Sequence, residues 1–182
     1  MVTEATMPAG GRGLLERGAL NSSTGAARRM TTPPPARTFP AMATAVNFPA
    51  RGKVIRSDGG GRIVFAPTGT TYEVELDAPA TGGKPFAGPL NVPTDIVIRG
   101  TGRKLLTVPS GGTFLVPIQG PLRIVQGRVK HLTESQLVLQ AGPPVVIDLP
   151  RDTHAIDLNA GEIGVGTMVN VTLLPGAWYE LP

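Results

Sequence analysis

The chain has 182 residues, of which 24 are Gly, 19 are Pro and only 4% are aromatic. This composition is typical of many short β-strands joined by tight turns, and it leaves little sequence for helices. The chain contains no cysteine, which excludes disulfides, thiolate metal sites and cysteine nucleophiles.

The formal net charge of +4 resides in the N-terminal part of the chain. Residues 1–51 carry six Arg and two Glu, whereas residues 52–182 carry eleven basic and eleven acidic side chains. Within that body, residues 52–126 have a net charge of +3 and residues 127–182 a net charge of −3. A neutral body weakens the nucleic-acid partner that a pI near 10.0 would otherwise indicate.

Residues 1–47 show no sustained apolar periodicity, and they include a Pro-rich run between Thr31 and Ala36. We interpret them as a disordered, basic, Pro/Gly/Arg-rich arm. An organellar transit peptide and upstream sequence from a wrong start remain open, since Met30 and Met42 both precede the first predicted strand. No apolar run is long enough for a signal peptide or a membrane span, so we expect a soluble, cytoplasmic protein with no membrane contact.

The first half of the chain contains six strand-like runs separated by Gly- and Pro-rich turns. In the third run, Tyr72, Val74 and Leu76 alternate with Glu73 and Glu75, which predicts one apolar face and one acidic face. The last two runs are expected to form a hairpin. The six predicted strands cover residues 50–56, 62–66, 71–76, 94–99, 104–108 and 113–118.

The second half of the chain repeats the design of the first four runs, after which the two copies diverge. The first strand begins with a similar sequence at Gly52 and at Gly127, and the third strand ends similarly at Leu76 and at Leu149. The offset between the copies shortens from 75 to 73 residues, as two one-residue deletions in turns would produce. The pattern therefore predicts a duplicated β unit.

Five short strands with a long connection between the third and fourth are the layout of a small closed barrel. On strand count and spacing, most of residues 50–182 resembles an OB-type or related five-stranded barrel. OB-type barrels carry a helix in that connection, whereas residues 77–89 contain Pro and Gly instead. We predict an all-β protein with two tandem duplicated small β-barrels, at residues 48–120 and 121–182, after the disordered arm at 1–47.

No set of residues in the sequence specifies an enzymatic reaction. His131 and His154 have no histidine partner at metal-ligand spacing. His154 lies near Asp148, Asp152 and Asp157, but loop carboxylates beside a single histidine are more commonly just solvated. There is no nucleophile-elbow pattern and no phosphate-binding loop. We therefore expect no catalytic residue, no cofactor and no metal site.

Six basic side chains of the first unit are candidates for contacts with nucleic acid. Two possible stacking rings, Phe65 and Tyr72, align with core positions of the second copy, and Glu73 and Glu75 would repel phosphate. Basic side chains on outward strand positions most often serve as solvated surface or protect a sheet edge. The arm would add non-specific, salt-sensitive affinity. The six candidates are Lys53, Arg56, Arg62, Arg99, Arg103 and Lys104.

Trp178 and Tyr179 are neighbours on the last predicted strand, so their rings point to opposite faces. The ring that lies near the surface is a candidate for a partner interface, and capping of the barrel mouth is the alternative. We expect a non-enzymatic binding or assembly module that has a protein partner or self-associates. The alternative is a single-stranded nucleic-acid-binding protein that uses OB-like barrels and the basic arm.

Overall fold

A computed structural model of the chain describes residues 47–150 and 163–182. Within these residues the protein is all-β, with eleven strands and no helix. The predicted arm lies outside the described residues except for Asn47, and so do His154, Asp152 and Asp157. The strands are β1 Ala50–Ser57, β2 Ile63–Pro67, β3 Glu73–Leu76, β4 Pro93–Thr107, β5 Phe114–Val116, β6 Gln119–Pro121, β7 Ile124–Leu132, β8 Gln136–Gln140, β9 Pro144–Asp148, β10 Met168–Leu173 and β11 Trp178–Glu180.

Five of these strands close into a barrel. β7 pairs with β8, β8 with β9, β4 with β10, and β10 with β7, all antiparallel. The ring is completed by a parallel pairing of β9 with β4, in which Val145 lies opposite Ile98. The predicted small closed β-barrel is therefore present.

Additional strands extend from the barrel through β4. The N-terminal part of β4 pairs with β1, and the sheet continues through β2, β3 and β6. β11 pairs with β4, and an isolated parallel bridge joins Trp178 of β11 to Asp77 just after β3. β5 pairs with β7.

A single buried cluster fills the space enclosed by these strands. It includes Phe65 from β2, Val74 from β3, Ile98 from β4 and Val129 from β7, each at most 1% exposed. Burying a side chain of this kind stabilises a fold by about 1.5–3 kcal/mol relative to leaving it in water. Tyr72 packs against the same cluster but stays partly exposed. The predicted apolar face of the third strand is therefore confirmed.

The two strands predicted at 94–99 and 104–108 are one continuous strand, β4, and the predicted hairpin with β5 is wrong because β5 pairs with β7. Gly100 and Gly102, which break the apolar pattern, lie inside β4. A Cβ on Gly100 would approach Leu173 Cδ1 to 2.9 Å, and one on Gly102 would approach Ile147 Cγ2 to 3.2 Å. The two glycines therefore allow close packing of β4 inside the barrel rather than ending a strand.

Candidate functional site

The outward side of β1, β2 and β3 carries charges that are sorted by strand. Lys53 and Arg56 project from β1 and are exposed, whereas Glu73 and Glu75 project from β3 and are partly exposed. Between them, β2 contributes small apolar side chains. We call this surface the charged face, and its residues are Lys53, Arg56, Val64, Ala66, Glu73 and Glu75.

The register of the sheet arranges the charged face in two rows. In one row, Arg56 lies opposite Val64, which lies opposite Glu75. In the other, Lys53 lies opposite Ala66. Glu73 completes this second row, because β2 and β3 are antiparallel and Phe65 pairs with Val74, which places Ala66 beside Glu73. Each row therefore runs from a basic end on β1 to an acidic end on β3.

A bulge in β1 places Arg56 on this surface. The register with β2 shifts between Val54 and Arg56, which leaves Ile55 as an extra residue. An extra residue reverses the side-to-side alternation of a strand. Arg56 therefore points outward and is exposed, although Val54, two residues earlier, is fully buried.

The four charged side chains of this surface form no ion pair with any residue in the described parts of the chain. Neighbouring strands lie about 4.8 Å apart, so β1 and β3 are separated by about 10 Å. β2 thus keeps the opposite charges of each row apart. The result is a surface with two cations along one side and two anions along the other, none of them in a salt bridge within the described residues, although Glu75 lies close enough to Arg62 to attract it.

A pocket of about 300 Å³ adjoins the charged face, and Arg56, Asp58, Arg62 and Glu75 contribute to its lining. The Asp58 carboxylate accepts the N–H groups of Gly60 at 2.8 Å and Arg62 at 2.9 Å. The hydrogen bond from the Arg62 N–H has the largest effect on the Asp58 carboxylate, followed by that from the Gly60 N–H. Together they hold the pKa of Asp58 below its usual value.

Arg62 itself is engaged within the chain. Its Nε donates to Asp77 Oδ1 at 2.8 Å, and this hydrogen bond raises the pKa of the Arg62 guanidinium. Both side chains are largely exposed, so the ion pair contributes little stability. Arg62 thus differs from Arg56, its neighbour in the pocket, which forms no ion pair within the described residues.

The other basic candidates lie elsewhere on the fold. Arg99 is only 4% exposed, and it forms ion pairs with Glu180 at 2.7 Å and Asp148 at 3.5 Å. Arg103 and Lys104 are exposed, but they lie in the part of β4 that pairs with β10. The structure therefore places Arg56 and Arg62 at one pocket, with Lys53 on the same strand as Arg56, and the remaining three lie elsewhere.

The two C-terminal aromatic rings point in opposite directions, as the alternation predicts. Tyr179 is 1% exposed, and its hydroxyl accepts the N–H of Phe86 at 2.8 Å. Burial raises the pKa of Tyr179. Trp178 remains partly exposed and lies opposite Arg99 in the register of β11 with β4. Of the two candidate interface residues, only Trp178 presents its ring near the surface.

Sequence reasoning missed a hydrogen-bonded pair of side-chain amides beside the barrel. Gln126 is 7% exposed; its Nε2 donates to Gly112 O, and its Oε1 accepts from Asn170 Nδ2, both at 2.9 Å. Gln126 and Asn170 lie opposite each other on β7 and β10. This contact holds the loop before β5 over the barrel. In the sequence, the only signal for this contact is the apolar/polar alternation of β7 and β10.

Within residues 47–150 and 163–182, no three His, Asp or Glu side chains are grouped as metal ligands would be. The same residues contain no helix that is long and apolar enough to cross a bilayer. No protein-family model matches the chain, and no curated protein or solved structure matches it either. A function for this protein therefore rests on its own geometry.

Proposed function

We propose that this protein is a non-enzymatic binding or assembly module built from two small duplicated β-barrels, with the charged face as its contact surface. The observation that carries this proposal is the sorting of charge by strand. Lys53 and Arg56 on one side, and Glu73 and Glu75 on the other, have no ion-pair partners in the described residues. Complementary charge on a partner would steer association and fix its orientation.

Matching irregularities in the two halves support the duplication. The β1–β2 register shifts between Val54 and Arg56, and the β7–β8 register shifts between Val129 and His131, 75 residues later. A matching glycine precedes each bulge. A Cβ on Gly52 would lie 2.4 Å from the carbonyl oxygen of Ala66, and one on Gly127 would lie 2.4 Å from that of Gln140. Bulges are inherited features of a fold rather than accidents, so their agreement favours a common origin.

The strand pairings support two rings in which each half supplies the other's fifth strand. In the closed barrel, the parallel pairing places Thr101 opposite Asp148. The parallel bridge between Asp77 and Trp178 is its counterpart in the other ring, which consists of β1, β2, β3, β11 and the N-terminal part of β4. We call this ring the first ring, and the closed barrel the second ring. These registers align Leu76 with Ile147, because Leu76 lies opposite Ile63 and Ile147 lies opposite Leu137, the residue equivalent to Ile63. The sequence alignment of Leu76 with Leu149 differs from this by two residues.

A comparison of the two rings favours the charged face as a contact surface. In the closed barrel, the outward residues Val138 and Val146 are fully buried beneath Phe48, whose ring lies 6.0 Å from that of His131. By the registers above, the first ring has Val64, Glu75 and Arg56 at the places of Val138, Val146 and His131. In the closed barrel, the two valines of this row are thus covered by Phe48 of the same chain. The first-ring surface carries charges suited to a partner.

Single-stranded nucleic-acid binding is the second candidate, and the unpaired Lys53 and Arg56 favour it. Phosphates attract such a pair of cations. The same face, however, carries Glu73 and Glu75 about 10 Å away, and these would repel the strand. The predicted basic arm, which lies outside the described residues, is the other possible source of such affinity.

Site-specific photo-crosslinking tests the proposal. A benzophenone side chain is placed at Gln119, which is exposed and lies opposite Glu73 on β6. The matched control carries it at Glu134, an exposed residue of the β7–β8 turn. We expect protein adducts from Gln119 in producing cells, absent from the control and lost when Lys53 and Arg56 are both changed to Glu.

Two other results would count against the proposal. Adducts of nucleic acid at Gln119 would favour the second candidate function. If the probe at Gln119 forms only the adducts that the control probe at Glu134 also forms, the charged face contacts no specific partner.

A further inference from the structure

We infer that the partner of the charged face is the same face of a second copy of this chain, in a two-fold symmetric dimer. This inference rests on the proposed contact function of that face. A two-fold interface needs a patch that is complementary to itself. The charged face meets this requirement because each of its rows has a cation at one end and an anion at the other, with the small residues of β2 between them.

The orientation of the two-fold axis follows from the arrangement of charge. A two-fold axis that runs parallel to β2 places β1 of one copy over β3 of the other. Each residue keeps its position along the strand direction. Lys53 then faces Glu73 of the second copy, and Arg56 faces Glu75 of the second copy. An axis perpendicular to the strands would place β1 over β1 and β3 over β3, so that like charges would meet. Only the first arrangement pairs all four charges of each copy.

The charges also explain why pairing between copies is favoured over pairing within one copy. Within the chain, the backbones of β1 and β3 lie about 10 Å apart across β2, and the described residues show no salt bridge between the two ends of a row. When two copies face each other, the opposite charges meet directly, because no strand lies between them. The face spans three short strands, so it is smaller than the roughly 800 Å² per partner of a stable complex. The dimer is therefore weak and weakens further as salt increases.

Complementary charge reversal tests this inference. The acidic variant changes Lys53 and Arg56 to Glu, and the basic variant changes Glu73 and Glu75 to Lys. Sedimentation equilibrium of the full chain at low salt, up to about 500 µM, suits an interface of this size. We expect the wild type to dimerise, each variant alone to associate at least about tenfold more weakly, and their equimolar mixture to form a heterodimer.

The control changes two exposed basic residues elsewhere, Arg103 and Lys130, to Glu. This charge reversal should leave dimerisation unchanged. The charged positions of the two test variants point away from the core, so thermal melts should show them folded. Restored association in the mixture would show that both variants are folded and that the contact is between opposite charges. A wild type that stays monomeric, or a mixture that does not associate, would overturn the inference.

These results remain distinguishable from failure of the proposed function. If the wild type is a monomer but Gln119 crosslinks to a different protein in a manner that needs Lys53 and Arg56, the contact function holds and self-association is wrong. If Gln119 gives no adduct beyond the control and the wild type is a monomer, both are wrong.

Discussion

Arg99 in β4 donates from Nε to Oε2 of Glu180 in β11 at 2.7 Å, and so ties the C-terminal strand to the centre of the sheet. The Arg99 side chain is 5% exposed, so its charge depends on its acceptors within the protein. We expect Glu180→Gln to lower the free energy of unfolding by about 1–3 kcal/mol, because a buried cation loses a charged acceptor. Urea unfolding followed by circular dichroism measures this loss.

Glu134→Gln is the matched control for that substitution. Glu134 is exposed in the β7–β8 turn, and its replacement should change stability by less than about 0.5 kcal/mol. Equal urea midpoints for the Glu180 variant and the wild type would show that the contact between Arg99 and Glu180 does not stabilise β11.

The two glycines that precede the bulges give a second prediction. Gly52→Ala and Gly127→Ala would each place a Cβ 2.4 Å from a backbone carbonyl oxygen of the neighbouring strand, which cannot move aside as a side chain can. We expect each change to cost about 1–3 kcal/mol or more in chemical denaturation. Gly112→Ala is the control, since its Cβ would meet no atom within 4 Å. A tolerated Gly127→Ala beside a damaging Gly52→Ala would contradict the proposed equivalence of the two positions.

Much of the fold is predictable from the sequence because β-strands leave a local signature. The alternation of Val74 and Leu76 with Glu73 and Glu75 places the third strand and its facing correctly. What the alternation cannot show is which strands pair over long distances. The parallel pairing of β9 with β4 joins segments about 47 residues apart in the chain, and no local pattern specifies it. The continuity of β4 was missed because Gly100 and Gly102 look like breaks until their close neighbours are known.

The candidate site was only partly predictable for a related reason. The sequence identifies Lys53 and Arg56 as basic residues on one strand, but simple alternation would put Arg56 on the same side as Val54. The bulge at Ile55 moves it to the outer face, and a bulge without a marker residue is not visible in one sequence. Arg99 is the opposite case: a charged residue on a strand is expected at the surface, but Arg99 is buried. Its burial depends on Asp148 and Glu180, which are distant in sequence.

The turn at Asp58 supports a prediction at acid pH. The two backbone N–H groups that bond its carboxylate lower its pKa, so the charged form favours the folded state. A lowered folded-state pKa means that this stabilisation is complete above the ordinary value of 3.8 and is lost as the pH falls through the folded value. We expect the thermal midpoint of Asp58→Asn to lie below that of the wild type at neutral pH and to approach it in acid. Carboxyl NMR titration would show directly whether Asp58 titrates below 3.8.

The last prediction concerns Tyr179 at alkaline pH. Its buried hydroxyl accepts the Phe86 N–H at 2.8 Å, so Tyr179→Phe should cost about 1 kcal/mol at neutral pH by removing that acceptor. Burial raises the pKa of Tyr179 above 10.0, so above that pH the unfolded chain releases a proton that the folded chain retains. The stability of the wild type therefore falls as the pH rises from about 10 towards the folded value, whereas the Phe variant lacks this loss. Urea unfolding of both proteins at pH values from about 7 to about 11 should show the advantage of the wild type shrinking as the pH rises above about 10. A constant difference across that range would mean that Tyr179 ionises as readily in the folded protein as in the unfolded chain.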